Sequence, residues 1–388
     1  MRCGPTLRID VERIDVKQLR VAVIGDGLMA KEHSMAWRNV QAVYGDVPVQ
    51  PRLVVIVHPD VDRVADAAQR YGFERSATSW EQVVADPEID VIDIVTPNSF
   101  HRDVAIAAAR AGKHIWCEKP LALTAAEALE MTEAAEAAGV STLVGFTYLQ
   151  NPGIALAKQL ITAGELGELF SFTAFFSADT MVDPEVPFTW RTDRSRAGGG
   201  ALGDLGSHLV SIARHLVGDV VRVNGISRTV VTQRRDAAGV DRPVDNDDHA
   251  LALIEFRNGV TGSLQASRVL TGRAFEVSFT LTGTEGAIRF SQQDSHILEV
   301  ALRSDGTAGH GFRTIELGPE HGEFGHLWPM SGINLGLHEL KIFEVRALIE
   351  AIVTGRRTLP DFREGWEIER AIEAIELSAT TREWVDVA

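Results

Sequence analysis

The segment VAVIGDGLMAKEH, Val21 to His33, constrains the fold of this chain more than any other stretch. Four apolar residues run into a glycine turn and then into a helix-compatible sequence, the pattern of a nucleotide-binding strand, turn and helix. Gly25 closes the tight turn, Gly27 lets the backbone approach a pyrophosphate, and Ala30 stands where a small residue lets helix pack on strand. Phosphate then sits on the helix N-terminus, where unpaired N–H groups and the dipole favour negative charge. Two glycines in a strand-to-helix turn also arise by chance, so the rest of the chain has to carry the reading.

From Leu19 to about Val144 short apolar runs alternate with longer amphipathic ones, the mark of a parallel sheet covered by helices. VAVIG, RLVVIVH, VIDIVTPN, KHIWCEKP and TLVGF are the expected strands. DRVADAAQRYG, RDVAIAAARAG and AAEALEMTEAAEAAG are expected helices, each closed by a glycine suited to a left-handed cap. The order is doubly wound, so ligands belong at the carboxyl ends of the strands: Gly25 to Ala30, His58 to Asp60, Thr96 to Asn98 and Glu118 to Pro120. After Asn151 the texture changes. A helix from Pro152 to Ala163 precedes LFSFTAFFSA, VVRVNGISRTVV, HALALIEF, TGSLQASRVL, FEVSFTLTG, AIRFS and ILEVAL, which alternate apolar with polar residues as strands do. Asn258-Gly259 marks a hairpin between HALALIEF and TGSLQASRVL, and a large, mainly antiparallel open sheet follows. FSFTAFF is apolar on both faces, so this sheet is expected to meet another subunit. The stretch from Gln233 to Asp248 carries eight charged residues and reads as a surface loop, and PDFREGWEIERAIEAIELSATTREWVDV reads as an amphipathic helix with a short apolar tail. The division expected is an N-terminal extension (1–18), a Rossmann domain (19–150) and a C-terminal α/β domain (151–388).

Two motifs carry chemistry. GKHIWCEKP puts Glu118, Lys119 and Pro120 at the end of a buried strand, where a poorly solvated ammonium can bind a substrate oxygen and stabilise alkoxide character. A surface Glu–Lys pair is the other reading of that tripeptide alone. GGGALGDLGSHLVSIARHLVG, Gly198 to Gly218, opens a helix with Leu202, Leu205, Leu209, Ile212 and Leu216 on one face and Asp204, His208, Ser211 and His215 beside it. Asp204 and His208 stand one α-turn apart, where a carboxylate can orient an imidazole for general acid/base work; a satisfied structural pair is the alternative, and His215 is read as structural.

Composition narrows the class. With 38 basic and 54 acidic residues the net charge is −16, which repels nucleic acid and anionic membrane surfaces. Cys3 and Cys117 are too few for a disulfide framework, and no secretory leader or membrane span is apparent, so a cytoplasmic location is expected. No metal site is expected.

The glycine turn, TPNSFH at 96–101, EKP at 118–120, WR at 190–191 and GGGALGDLGSH at 198–208 together resemble the glucose-fructose oxidoreductase/inositol dehydrogenase/rhizopine catabolism (Gfo/Idh/MocA) family, from about Leu19 to PDFREGW. The resemblance implies an NAD(P)-dependent dehydrogenase that oxidises a secondary hydroxyl of a sugar or cyclitol. It implies a homo-oligomer, dimer or tetramer, joined through the C-terminal sheet. Lys119, Asp204 and His208 are then the catalytic set, with Lys119 on the reacting oxygen, His208 moving the proton and Asp204 orienting the histidine; which of Lys119 and His208 is the base stays open. Gly25, Gly27, Leu28, Met29, Thr96, Pro97, Asn98, His101, Glu118 and Lys119 fall to the cofactor, Trp190 and Arg191 to its nicotinamide side, and Tyr148, Arg191 and the catalytic set to substrate.

Two departures from the family pattern matter. His58 ends the second strand where a ribose-binding carboxylate is usual, with Asp60 two residues on and no arginine at either position, so NAD is favoured while NADP is not excluded. Thr147 and Leu149 flank Tyr148 where relatives commonly carry asparagine and arginine, which favours a neutral sugar, anhydrosugar or inositol. Asn334 and His338 are further pocket candidates, although a solvated helix face suits either. An NAD-dependent glycosidase acting by transient oxidation, and a non-catalytic dinucleotide-sensing protein, are the alternative readings.

Overall fold

The computed structural model describes residues 17–387, except 307, 308 and 310. Cys3 and nearly all of the expected N-terminal extension therefore lie outside the described residues.

Apolar runs too short for helices form a six-stranded sheet, all parallel: β1 (Gln18–Ile24), β2 (Gln50–Val57), β3 (Arg75–Ala77), β4 (Val91–Ile94), β5 (His114–Cys117) and β6 (Thr142–Val144). The spatial order is β3-β2-β1-β4-β5-β6, the doubly wound arrangement of two halves meeting between β1 and β4. Strand β3 was not among the expected ones: Arg75, Ser76 and Ala77 form a short polar edge with no apolar run to announce it. Helices α1 (Leu28–Tyr44), α2 (Val61–Tyr71), α3 (Trp80–Val84), α4 (His101–Arg110) and α5 (Ala125–Ala138) cover the faces. Gly72 and Gly139 end α2 and α5 in the left-handed conformation, as their positions implied.

After α6 (Pro152–Thr162) the chain enters a nine-stranded sheet built from β7 (Leu169–Ala178), β8 (Val220–Arg228), β11 (His249–Phe256), β12 (Thr261–Ser267), β13 (Phe275–Gly283), β14 (Gly286–Ser291), β15 (Ile297–Leu302), β16 (Arg313–Glu316) and β17 (Val385–Asp386). Its order is β16-β15-β14-β13-β7-β12-β11-β8-β17, and only the β7–β12 pair is parallel. Phe172, Ala174 and Phe176 of β7 and Ala250, Ala252, Ile254 and Phe256 of β11 point into the core. The opposite face leaves Ile226, Leu251 and Leu253 exposed, each by 41% or more. The apolar tail after the final helix is β17, the strand that closes one edge.

The remaining helices are α7 (Arg194–Ala197), α8 (Ser207–Leu216), α9 (Phe324–Leu327), α10 (Leu337–Thr354) and α11 (Phe362–Thr381). Although α10 and α11 follow eight of the nine strands of the second sheet in sequence, they return to the first: α10 packs on α1, and α11 packs on α5 as well as on β8.

The expected surface loop at 233–248 is corrected in part: Arg235, Asp241, Arg242 and Asp245 are exposed as expected, but the stretch is neither irregular nor solvated throughout. Gln233–Arg235 (β9) and Asp241–Pro243 (β10) pair as an antiparallel ribbon, and Arg234, Asn246, Asp247 and Asp248 are buried. Their charges are spent internally: Arg234 alone donates to the carbonyls of Met181, Asp183 and Val186, fixing the PEVPFTW stretch before Trp190. A run of charge reads as solvated only when its hydrogen bonds have no backbone to meet.

Candidate active site

The crevice at the carboxyl ends of β1 and β4 begins at Gly25, whose φ of 120° and closeness to Val95 exclude a side chain: a Cβ there would lie 2.7 Å from the Val95 carbonyl oxygen. Gly27 caps α1 with extended backbone, no side-chain cap and no acidic residue in the first turn. A Cβ at Gly27 would meet nothing within 4 Å. Thr96 Oγ1, at the end of β4, is buried without a hydrogen-bond partner. An uncapped helix terminus, backbone free of side chains and an orphaned hydroxyl fit a dinucleotide, which Gly27, Leu28, Met29 and Thr96 would hold. At the end of β2, His58 Nδ1 accepts from Asp60 N–H at 3.1 Å, and one Asp60 oxygen caps α2 through the N–H groups of Asp62 and Arg63. The carboxylate facing His58 is Asp26, 3.6 Å from its Nε2 and 2.9 Å from the Arg63 guanidinium. An acid between the two turn glycines was the available signal for it.

Three residues expected in the crevice serve its floor and walls. His101 is buried, with Nδ1 3.0 Å from the Pro120 carbonyl and Nε2 3.1 Å from that of Thr96; burial, opposed by those carbonyls, lowers its pKa. Both ring nitrogens thus face backbone carbonyls, one of which a neutral imidazole meets as donor. Asn98 donates through Nδ2 to the Ala197 carbonyl at 2.8 Å, tying the β4 loop to α7. Glu118 is the centre of a buried ion cluster. Its Oε1 lies 2.5 Å from Lys341 Nζ and 3.0 Å from His33 Nε2, while His33 Nδ1 lies 2.8 Å from Asp93, which also accepts from the Trp37 indole at 2.9 Å. Lys341 also pairs with Glu344 at 3.0 Å, and Glu344 accepts from Thr147 Oγ1 at 3.2 Å. The His33 ring stacks on Trp116 at 3.7 Å, with Lys341 Nζ 5.2 Å above the same indole.

Burial opposes every charge in this cluster, and the partners decide the outcome. Burial raises Glu118, yet Lys341 and His33 hold it well below the ordinary carboxylate range. Burial lowers His33, yet Asp93 raises it overall, consistent with an imidazolium donating from both nitrogens. For Glu344 burial prevails over Lys341 and pushes the carboxyl up. Three carboxyl groups and two cations therefore balance when Glu344 holds a proton.

The catalytic candidates meet beside this floor. Lys119 Nζ donates to Asp204 Oδ1 at 2.6 Å and to the Asp204 carbonyl at 3.0 Å. Burial raises the Asp204 carboxyl, but the Lys119 ammonium overrides it and the pKa is lowered. His208 is buried and makes no hydrogen bond with any described residue; its Nδ1 is fully enclosed. Burial, reinforced by Lys119, pushes its pKa well below the ordinary 6.5, so the ring is neutral at neutral pH. Phe146, Tyr148 and Phe176 surround it, Tyr148 edge-on at 4.9 Å. The expected orienting bond from Asp204 to His208 is absent, because Leu202–Gly206 winds as one π-turn before α8 and the carboxylate goes to Lys119 instead. A π-turn bonds residues five apart, so the four-residue alignment of an α-helix is lost. Trp190 and Arg191 share a short helical turn, the guanidinium 4.5 Å over the indole. Asn334 and His338 lie elsewhere: Asn334 bonds Ser295, and His338 Nε2 meets Asn39 of α1 at 3.1 Å.

Comparison with known proteins bears directly on this arrangement. Residues 19–146 match the model of an oxidoreductase family with an NAD-binding Rossmann fold, and residues 154–289 match the GFO/IDH/MocA C-terminal domain. The chain belongs to the Gfo/Idh/MocA oxidoreductase family. Levoglucosan dehydrogenase of Pseudarthrobacter phenanthrenivorans is 39% identical over 385 residues, covering 96% of this chain and 99% of the relative. The NAD⁺-dependent scyllo-inositol 2-dehydrogenase of Bacillus subtilis is 33% identical over 272 residues, 70% of this chain and 73% of that one. A solved structure of levoglucosan dehydrogenase in complex with NADH and levoglucosan superposes with a TM-score of 0.93 at 39% identity, covering 96% of this chain and all (100%) of that one.

Within this Gfo/Idh/MocA chain, the residues that sequence reasoning missed are His33, Asp93, Lys341 and Glu344. Lys341→Met would leave the buried Glu118 with His33 as its one cation, shared with Asp93, and is expected to destabilise the fold by about 3–5 kcal/mol. Adding Glu118→Gln should recover part of that loss by removing the stranded charge. Urea denaturation followed by tryptophan fluorescence measures both; a loss below about 1 kcal/mol for Lys341→Met would contradict the charge balance.

Proposed function

We propose that this protein is an NAD-dependent dehydrogenase that oxidises a secondary hydroxyl of a neutral anhydrosugar, sugar or inositol to the ketone, reversibly. The observation that carries the reading is the contrast between Lys119, charge-paired with Asp204, and His208, buried, neutral and without a partner. In this reading the Lys119 ammonium binds the substrate oxygen and stabilises alkoxide character. His208 accepts the hydroxyl proton, which a neutral imidazole can do and an ion-paired ammonium cannot. NAD, which Gly25, Gly27 and Thr96 would hold, would supply the hydride acceptor for the carbon that carries this hydroxyl. Asp204 holds the ammonium in place, and Trp190 with Arg191 provides a flat cationic wall beside the ring. The lining at Thr147, Tyr148 and Leu149 brings no cation to meet a phosphate or carboxylate, and this supports a neutral substrate. The resemblance to levoglucosan dehydrogenase supports an anhydrosugar in particular.

Nicotinamide absorbance with NAD and levoglucosan, scyllo-inositol or glucose tests the class: NADH should form with at least one, and no signal with any polyol or ketosugar in either direction would sink it. Lys119→Ala should lower kcat by about 10²–10⁴-fold with NADH affinity nearly unchanged; an unaltered kcat removes Lys119 from the chemistry.

The pH dependence follows from His208. Its proton-accepting form persists while pH exceeds its lowered pKa, so oxidation should stay level through pH 6.5 and fall only in more acidic buffer. An initial-rate profile whose acid limb is centred at or above that value would assign the base elsewhere.

The same proposal places a second copy of the chain on the outer sheet face, where Ile226 pairs with Leu251 in register and Leu253 lies two residues on. Sedimentation should show an oligomer that Leu253→Asp weakens, and a monomeric wild type would refute this contact.

A further inference from the structure

Four consecutive residues, Asp245 to Asp248, lead into β11, and each bonds a different part of the active-site wall. Asp245 accepts from the Arg194 backbone N–H at 2.8 Å, just after the Trp190–Arg191 turn. Asn246 donates through Nδ2 to the Arg191 carbonyl at 2.9 Å. Asp247 divides its carboxylate between two amides of the glycine-rich turn, Oδ1 taking Gly200 N–H and Oδ2 taking Leu202 N–H, both at 2.8 Å. Its carbonyl takes the intervening Ala201 N–H, also at 2.8 Å. A Cβ at Gly200 would overlap that carbonyl, so only glycine permits the approach. Asp248 holds the Arg268 guanidinium at 2.8 Å, and Arg268 in turn donates to Asn246 Oδ1 at 2.8 Å and to the Arg191 carbonyl at 3.1 Å.

The register of the large sheet makes this possible. His249 of β11 stands opposite Ser267 of β12, so the residues just outside the pair, Asp248 and Arg268, are forced together. Asn246, Asp248 and Arg268 are themselves buried, at 4% exposure or less. We propose that Asn246, Asp247 and Arg268 are positioning residues that hold the Trp190–Arg191 turn and the Asp204–His208 turn at a fixed separation across the substrate. None of the three reaches the reacting atoms. Asp247 acts on Asp204 through Leu202 and the π-turn, and Asn246 with Arg268 acts on Arg191 through its carbonyl. The proposal rests on the catalytic reading of Lys119, Asp204 and His208.

The test uses the full-length protein in two arms. Asp247→Asn keeps the shape of the side chain and turns one acceptor into a donor that faces another N–H. Hydrogen exchange of the protein without ligand should quicken by about tenfold or more in the 198–206 segment while the 114–121 segment stays unchanged. With NAD and levoglucosan, kcat should fall by about 10–100-fold, the loss expected of a displacement near 1 Å, with NADH affinity within about twofold of wild type. Asn246→Ala should produce the same split with faster exchange confined to the 189–194 segment, and it carries the test by itself if Asp247→Asn fails to fold. Unchanged exchange at 198–206 in Asp247→Asn, or at 189–194 in Asn246→Ala, overturns the proposal. So does a kcat loss matched by an equal loss of NADH binding and by faster exchange throughout the chain. A wild-type enzyme inactive on every polyol defeats the dehydrogenase reading instead, and the exchange arm still decides whether these residues hold the two turns.

Discussion

A carboxylate buried beneath a strand end must be matched in charge, and Glu118 is where this protein meets that requirement. Its cations come from opposite ends of the chain, His33 on α1 and Lys341 on α10, and Asp93 and Glu344 complete the balance. Because the partners come from three elements besides β5, satisfying the charges also fixes α1, β4, β5 and α10 relative to one another. Glu118 then uses its second oxygen to accept from the Lys119 N–H at 3.2 Å and so holds the backbone of that lysine. The fit is close enough that Gly145 can carry no side chain, since a Cβ there would lie 2.7 Å from Glu118.

On this base, neighbouring groups take opposite protonation states. The same ammonium that keeps Asp204 ionised disfavours a proton on His208, and the aromatic walls of Phe146, Tyr148 and Phe176 remove the solvent that would support one. One charge thus separates an electrostatic role from a proton-accepting role over a short distance. The π-turn contributes by sending Asp204 toward Lys119 and leaving His208 free of a carboxylate.

Much of this was legible in the sequence where the signal is local. The runs VAVIG, RLVVIVH, VIDIVTPN and KHIWCEKP are strands because buried parallel strands are continuously apolar, and the glycine turn is a turn because Gly25 has no room for a Cβ. Lys119, Asp204 and His208 do converge. What was not legible depends on contacts distant in sequence. Nothing near Glu118 announces Lys341, 223 residues away, and charge counting alone sent Asn246, Asp247 and Asp248 to the surface. The pairing expected between Asp204 and His208 assumed an uninterrupted α-helix; Gly203 and Gly206, both poor helix formers, were the warning.

The return of α10 to the first sheet has a consequence for how the chain is made. On the ribosome the strands β1 to β6 emerge complete, with Glu118, Asp93 and only one of the two cations they require. Lys341 follows 223 residues after Glu118. Closing the sheet ends around an unmatched carboxylate costs several kcal/mol, roughly the margin by which a domain is stable at all. The charge balance at Glu118 is therefore complete only once the last helices are released, although synthesis usually lets an N-terminal domain finish first.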